Sequence, residues 1–84
     1  MPEAFIVTIM DSAGRFEADL EIPATLTFSL FKAKLLEILI IMDGRTFGGL
    51  RDYKLFFNNH ALSVNDSLAS IGAFDGSKLY VQRI

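Results

Sequence analysis

The stretch RFEADLEIPATLTFSLFKAKLLEILIIMDG, Arg15 to Gly44, changes its hydrophobic period once, at Pro23. Before the proline the period is two. Phe16, Ala18, Leu20 and Ile22 fall on one face, and Arg15, Glu17, Asp19 and Glu21 on the other. Such alternation is the mark of a half-buried antiparallel strand with a wet outer side. Pro23 cannot donate to a ladder and closes the strand. Thr25 or Thr27 can supply the side-chain oxygen that caps a helix. From Phe28 the period becomes helical, because Phe28, Phe31, Leu35, Ile38, Leu39 and Met42 lie within about 100° on a helical wheel. Asp43-Gly44 supplies the stop, with Gly44 suited to the left-handed position after the last turn.

Working outward, Phe5 to Met10 is β-branched and aromatic and reads as a first strand, joined to the second through Asp11-Ser12-Ala13-Gly14. Its alternation turns Phe5, Val7 and Ile9 toward the helix and leaves Ile6, Thr8 and Met10 outside. Beyond the helix, Arg45 to Asp52 has the composition of a loop. Tyr53 to Phe57 forms a third strand, ended by Asn58-Asn59, both tolerant of the left-handed region. Ala61-Leu62 gives a short return strand, and Asn65-Asp66-Ser67 caps a single helical turn from Leu68 to Ile71, closed by Gly72. Asp75-Gly76 turns the chain into a final strand, Lys78 to Arg83.

This order describes an α+β layer pair in one domain spanning residues 1–84, a mixed four- to five-stranded sheet packed on one main helix. A connection from the second strand through the helix to a parallel neighbour should be right-handed. The compact solution in about 80 residues is the β-grasp.

Composition narrows the function. Eighty-four residues make one small domain, expected to bury only about 60% of its unfolded surface. Hydrophobic residues at 51% with 21% charged exclude disorder. Eight basic against ten acidic residues give a net charge of −2, which offers no basic surface for nucleic acid. The start, Met1-Pro2-Glu3-Ala4, lacks the basic residues of an export signal. Leu26 to Met42 is interrupted by Lys32, Lys34 and Glu37, each costing about 2.5–3.5 kcal/mol at a bilayer centre, so no membrane insertion is expected. Asn65-Asp66-Ser67 matches a glycosylation sequon, but without an export signal it belongs to a turn.

Catalytic chemistry finds little material. There is no cysteine, and His60 is the only histidine, so neither a zinc site nor a nucleophile–histidine pair can be assembled. No serine sits in a Gly-x-Ser-x-Gly elbow. Gly44-Arg45-Thr46-Phe47-Gly48-Gly49 begins like a phosphate loop but continues Leu50-Arg51 where Lys and Ser/Thr are needed. Asp43 and Asp52 flank that loop with no apolar pocket to separate their pKa values. The expectation is a protein that is not an enzyme and uses no cofactor or metal.

Several stretches resemble ubiquitin. Pro23 and Thr27 followed by Phe31-Lys32-Ala33-Lys34-Leu35 resembles that family's helix start. Leu55-Phe56-Phe57-Asn58-Asn59-His60-Ala61-Leu62 resembles its third strand, turn and short fourth strand, and Leu68 to Ile71 and Leu79-Tyr80-Val81 resemble its short helix and last strand. The resemblance places Phe56 at the centre of the family's hydrophobic recognition patch and Tyr80 on its flank, with Gln82 replacing another apolar member by an amide. Conjugating members close on Gly-Gly, whereas this sequence ends Val81-Gln82-Arg83-Ile84. A modifier or sulfur carrier is therefore the disfavoured alternative.

The sequence also resembles the YukD-type proteins, small bacterial ubiquitin-like proteins that accompany type VII (WXG-type) secretion. That resemblance implies a cytoplasmic accessory role, or a counterpart fused to a membrane component, with membrane or ATPase components of the machine as partners. The expected protein-binding surface is Phe56, Tyr80 and Ile6 on the open sheet face, with Lys54 and His60 at a polar rim. Leu36, Ile40 and Ile41, beside Leu30, make the helix greasier than one core stripe requires; either the following loop folds over them, or part of this face is a possible second surface, for a partner or a homodimer.

Overall fold

The computed structural model describes residues 4–84. Strands β1 (Ala4–Asp11) and β2 (Glu17–Pro23) form an antiparallel hairpin, followed by helix α1 (Phe28–Met42) and a short helix α2 (Gly44–Phe47). Strands β3 (Tyr53–Phe57), β4 (His60–Ala61) and β5 (Lys78–Arg83) complete one five-stranded sheet in the order β2-β1-β5-β3-β4. This is the β-grasp arrangement. The parallel pair is β1 with β5, and every other neighbouring pair is antiparallel. The helix connects β2 to the parallel strand β3, which is not its neighbour because β1 and β5 lie between them.

The core lies between α1 and one sheet face. Phe28, Phe31, Leu35 and Leu39 meet Val7, Ile9, Leu55, Leu79 and Val81, all buried. The expected helical stripe holds except toward its C-terminal end. Ile38 is half-buried, and Met42 is exposed at the last turn. Phe28 stands edge-on to both Phe31 and Tyr53, with ring centroids 5.3 and 5.9 Å apart, the geometry that aromatic quadrupoles favour. Burial pushes the Tyr53 phenol up in pKa, as does the Asp52 charge. Its hydroxyl donates to the Lys32 carbonyl at 2.6 Å, so the buried polar atom is satisfied. Lys32 pairs with Asp52 at 2.6 Å, and hydrogen bonding from the lysine holds that carboxyl below its usual range.

Thr27 occupies the helix N-cap but makes no side-chain cap bond. Phe28 N–H donates instead to the Asp66 carbonyl (2.7 Å) and Ser29 N–H to that of Val64 (2.9 Å). A distant loop thus satisfies the donors that every helix start leaves open. The bridge between Thr27 and Ser67 fixes the same junction.

Several local expectations are corrected. Gly44 is not in the left-handed region; it opens α2 inside the segment expected to be a loop. The cause is Asp43, whose carboxylate accepts from Thr46 N–H (3.2 Å) and Thr46 Oγ1 (2.7 Å). Phe47 then reaches the core and stands edge-on to Phe16 at 5.0 Å. Gly48 packs so close to Gly44 that a Cβ there would overlap the Gly44 carbonyl. Leu68 to Ile71 is turn rather than helix, although Ile71 N–H reaches the Ser67 carbonyl at 3.2 Å and Ser67 Oγ accepts from Ser70 N–H. The return strand is His60–Ala61 instead of Ala61-Leu62. Among the described residues no helix is long and apolar enough to cross a membrane.

Two measurements check this packing. Leu39, fully buried, should lose about 2–5 kcal/mol on Leu39→Ala in urea unfolding, while exposed Leu30→Ala should change stability by under about 0.5 kcal/mol. Asp43 is held below its ordinary value of 3.8, chiefly by the Thr46 hydroxyl. A depressed folded pKa gives stability that is complete above the ordinary value and lost as pH falls through the folded one. The melting-temperature gap between wild type and Asp43→Ala should therefore be full at neutral pH and shrink below about pH 4.

Candidate protein-binding site

Burying one side of each strand dictates what faces outward on the other. Tyr53, Leu55 and Phe57 are buried, so Lys54 and Phe56 between them turn away from α1; Leu79 and Val81 do the same to Tyr80 and Gln82. Pairing then assembles rows across the outer face. Tyr80 lies opposite Phe56 on one side and Met10 on the other, and Ala61 follows Phe56. Gln82 lies opposite Lys54 in the next row. Phe56 is half-buried by these neighbours, and Tyr80 remains 42% exposed.

A shallow concavity of about 850 Å³ opens on this face, walled by Phe56, Phe74 and Tyr80 with Lys78, Gln82 and Asn59 among its polar lining. Phe74 is 62% exposed. The loop carrying it is held down at several points. Phe74 N–H donates to Ser77 Oγ (2.9 Å), Gly76 N–H to the Ile6 carbonyl (2.7 Å), and Ile6 N–H to Asp75 Oδ1 (2.7 Å). An aromatic ring on a pinned loop beside two strand aromatics gives an apolar surface with little ordering entropy left to lose on binding.

The five residues expected to form the surface do not all converge. Phe56, Tyr80 and Lys54 share the outer face in adjacent rows. Ile6 shares that face and is half exposed, but it sits four positions before Met10 in β1, about 13 Å along the strand from the Tyr80 row. His60 leaves the site altogether. It pairs with Phe57 across a two-residue turn in which Asn58 and Asn59 have φ of 50° and 64°. Directly opposed residues share a face, so His60 lies on the buried-Phe57 side, with Nε2 3.8 Å from Asp66 Oδ2. Phe74 lines the concavity beside Phe56 and Tyr80, and Met10 lies opposite Tyr80 on the same face. Alternation already put Met10 outside, whereas Phe74 carries no periodic signal; its position depends on how the 72–77 loop crosses the sheet end.

The second surface also divides. Leu36 is half-buried and lines a shallow cleft with Ser29, Lys32, Ala33 and the 51–53 segment. The expected covering by the following loop therefore reaches Leu36 but leaves Ile40, Ile41 and Leu30 exposed. Among the described residues no group of three His, Asp or Glu side chains could hold a metal ion.

Comparison with solved structures follows from this topology. The ubiquitin-like domain of EccD5 from Mycobacterium xenopi superposes with a TM-score of 0.80 at 20% identity, covering 99% of this chain and 97% of that one. The fold is ubiquitin-like. The ubiquitin-like domain of the Mycobacterium tuberculosis type VII secretion protein ECCD1 gives 0.76 at 24% identity, over 98% and 99% of the two chains. A chain of the MycP5-free ESX-5 inner membrane complex gives 0.78 at 21% identity; 99% of this chain covers 21% of that one. No protein-family profile and no curated protein matches the sequence.

Proposed function

We propose that this ubiquitin-like domain works by noncovalent protein binding through the outer sheet face, as a cytoplasmic accessory of a bacterial type VII secretion system. The observation that carries the binding role is the pairing of Phe56 with Tyr80 on a face that no element among the described residues covers, extended by Phe74 into one concave apolar surface. Aromatic anchors ringed by polar groups are the residue pattern of interface cores. Burying one such ring contributes about 1.5–3 kcal/mol, so three together supply roughly 4.5–9 kcal/mol toward the about 8 kcal/mol of a micromolar complex. Lys54, Lys78 and Gln82 form the rim.

The secretion setting is supported by the likeness to ubiquitin-like domains of EccD proteins, together with the YukD-like features of the sequence. In this reading the partners are membrane or ATPase components of the machine. Phe56→Asp should abolish co-purification with those components from a cell expressing the whole system, while the thermal melt stays within a few degrees. Undiminished capture by a folded Phe56→Asp chain would exclude the sheet face.

The exposure of Ile40 and Ile41 favours a second reading, self-association through the helix. That reading expects a dimer mass by light scattering which Ile41→Glu returns to the monomer. A monomer mass for the wild-type chain at high concentration would dispose of it.

A further inference from the structure

Among the described residues strand β2 is an edge, with β1 as its sole sheet neighbour. Asp11 N–H donates to the Phe16 carbonyl at 3.1 Å, which marks a hydrogen-bonded pair of the ladder. Such pairs alternate in antiparallel sheets. With the observed register the next ones are Ile9 with Ala18, Val7 with Leu20 and Phe5 with Ile22. Glu17, Asp19 and Glu21 occupy the intervening positions, so their N–H and C=O groups point away from β1 to the open edge. The far side of β1 agrees, since Ile6 and Thr8 spend their main-chain bonds on Asp75, Gly76 and Ser77.

Three successive edge positions therefore combine free peptide groups with exposed carboxylates on the outer face. Asp19 Oδ1 accepts from Thr8 Oγ1 at 2.7 Å. On the other side of the same edge an apolar groove of about 260 Å³ runs between β2 and α1, lined by Leu20, Ile22, Leu26, Leu30, Leu35 and Ile38 among others. The nearby cations are few. Lys34 on the helical wall lies 3.6 Å from Glu37, and Arg15 precedes the strand.

We propose that this edge docks an extended segment of a partner protein in which apolar and basic residues alternate. A strand laid along β2 sends every second side chain over the groove and the intervening ones past the carboxylate row. The charge pattern selects the occupant. A second copy of this chain paired through β2 would set carboxylates against carboxylates, and like charges directly opposite are destabilising. Acidic side chains on an edge also discourage promiscuous pairing, which a basic segment alone overcomes. Pro23, at a position whose missing N–H faces outward, ends the docking track.

The probe is a short end-blocked peptide of alternating lysine and valine, titrated into the isotope-labelled full chain at low salt. Binding should shift the amides of Glu17, Asp19 and Glu21, slow their hydrogen exchange, and perturb Leu30. Asp19→Lys with Glu21→Lys should weaken binding about tenfold or more, as should Leu30→Glu, whose side chain is exposed and leaves the core intact. Phe56→Asp should bind the peptide like wild type, which separates this edge from the sheet face. No binding, equal binding of a glutamate–valine peptide, or ionic attraction without slowed exchange at the three edge amides would each overturn the proposal.

Discussion

The structure depends on the burial of one sheet face beneath α1. Val7, Ile9, Leu55, Leu79 and Val81 can reach the helix only if their strand neighbours turn outward. A shift of one residue in any strand would exchange the two sets. Phe56, Tyr80 and Met10 are thus turned outward by the same constraint that closes the core. The apolar outer face is a consequence of register combined with a choice of residue: threonine or lysine at these positions would serve the core equally well. That surplus of apolar surface is what the proposed binding role rests on.

Electrostatics sorts the surfaces. Charged side chains border the molecule's apolar areas. Lys32 and Asp52 clamp α1 to the start of β3. Lys54 and Lys78 flank the aromatic concavity, and Glu17, Asp19 and Glu21 line the opposite edge of the sheet. A net charge of −2 conceals this division between a basic-rimmed face and an acidic edge. The two areas suit partners of different charge.

Much of the fold was legible because its periods are clean. Alternation from Arg15 to Ile22 and the helical stripe from Phe28 give β2 and α1 nearly to the residue, and Asn58-Asn59 marks the hairpin turn that the positive φ values require. What could not be read is tertiary in origin. The short helix α2 exists because Asp43 caps it and Phe47 finds space in the core, neither of which leaves a periodic trace. His60 follows a turn whose tightness decides its face, so a residue that looked like rim lies on the other side. Phe74 depends on a loop path, and Ile6 on an offset between β1 and β5 that only the sheet order reveals. Residue type on the outer sheet face was therefore more visible than neighbourhood.

The helix start ties two distant parts of the chain together. Phe28 and Ser29 hand their amide hydrogens to Asp66 and Val64, and Ala69 N–H reaches back to the Ala24 carbonyl at 2.9 Å. A helix end ordinarily frays on its own, one turn at a time. Here the first turn cannot loosen without releasing the 62–73 segment, and that segment cannot lift without stripping the turn. The two melt as one cooperative unit, so a long coil with hardly any regular structure acquires the rigidity of the helix it caps.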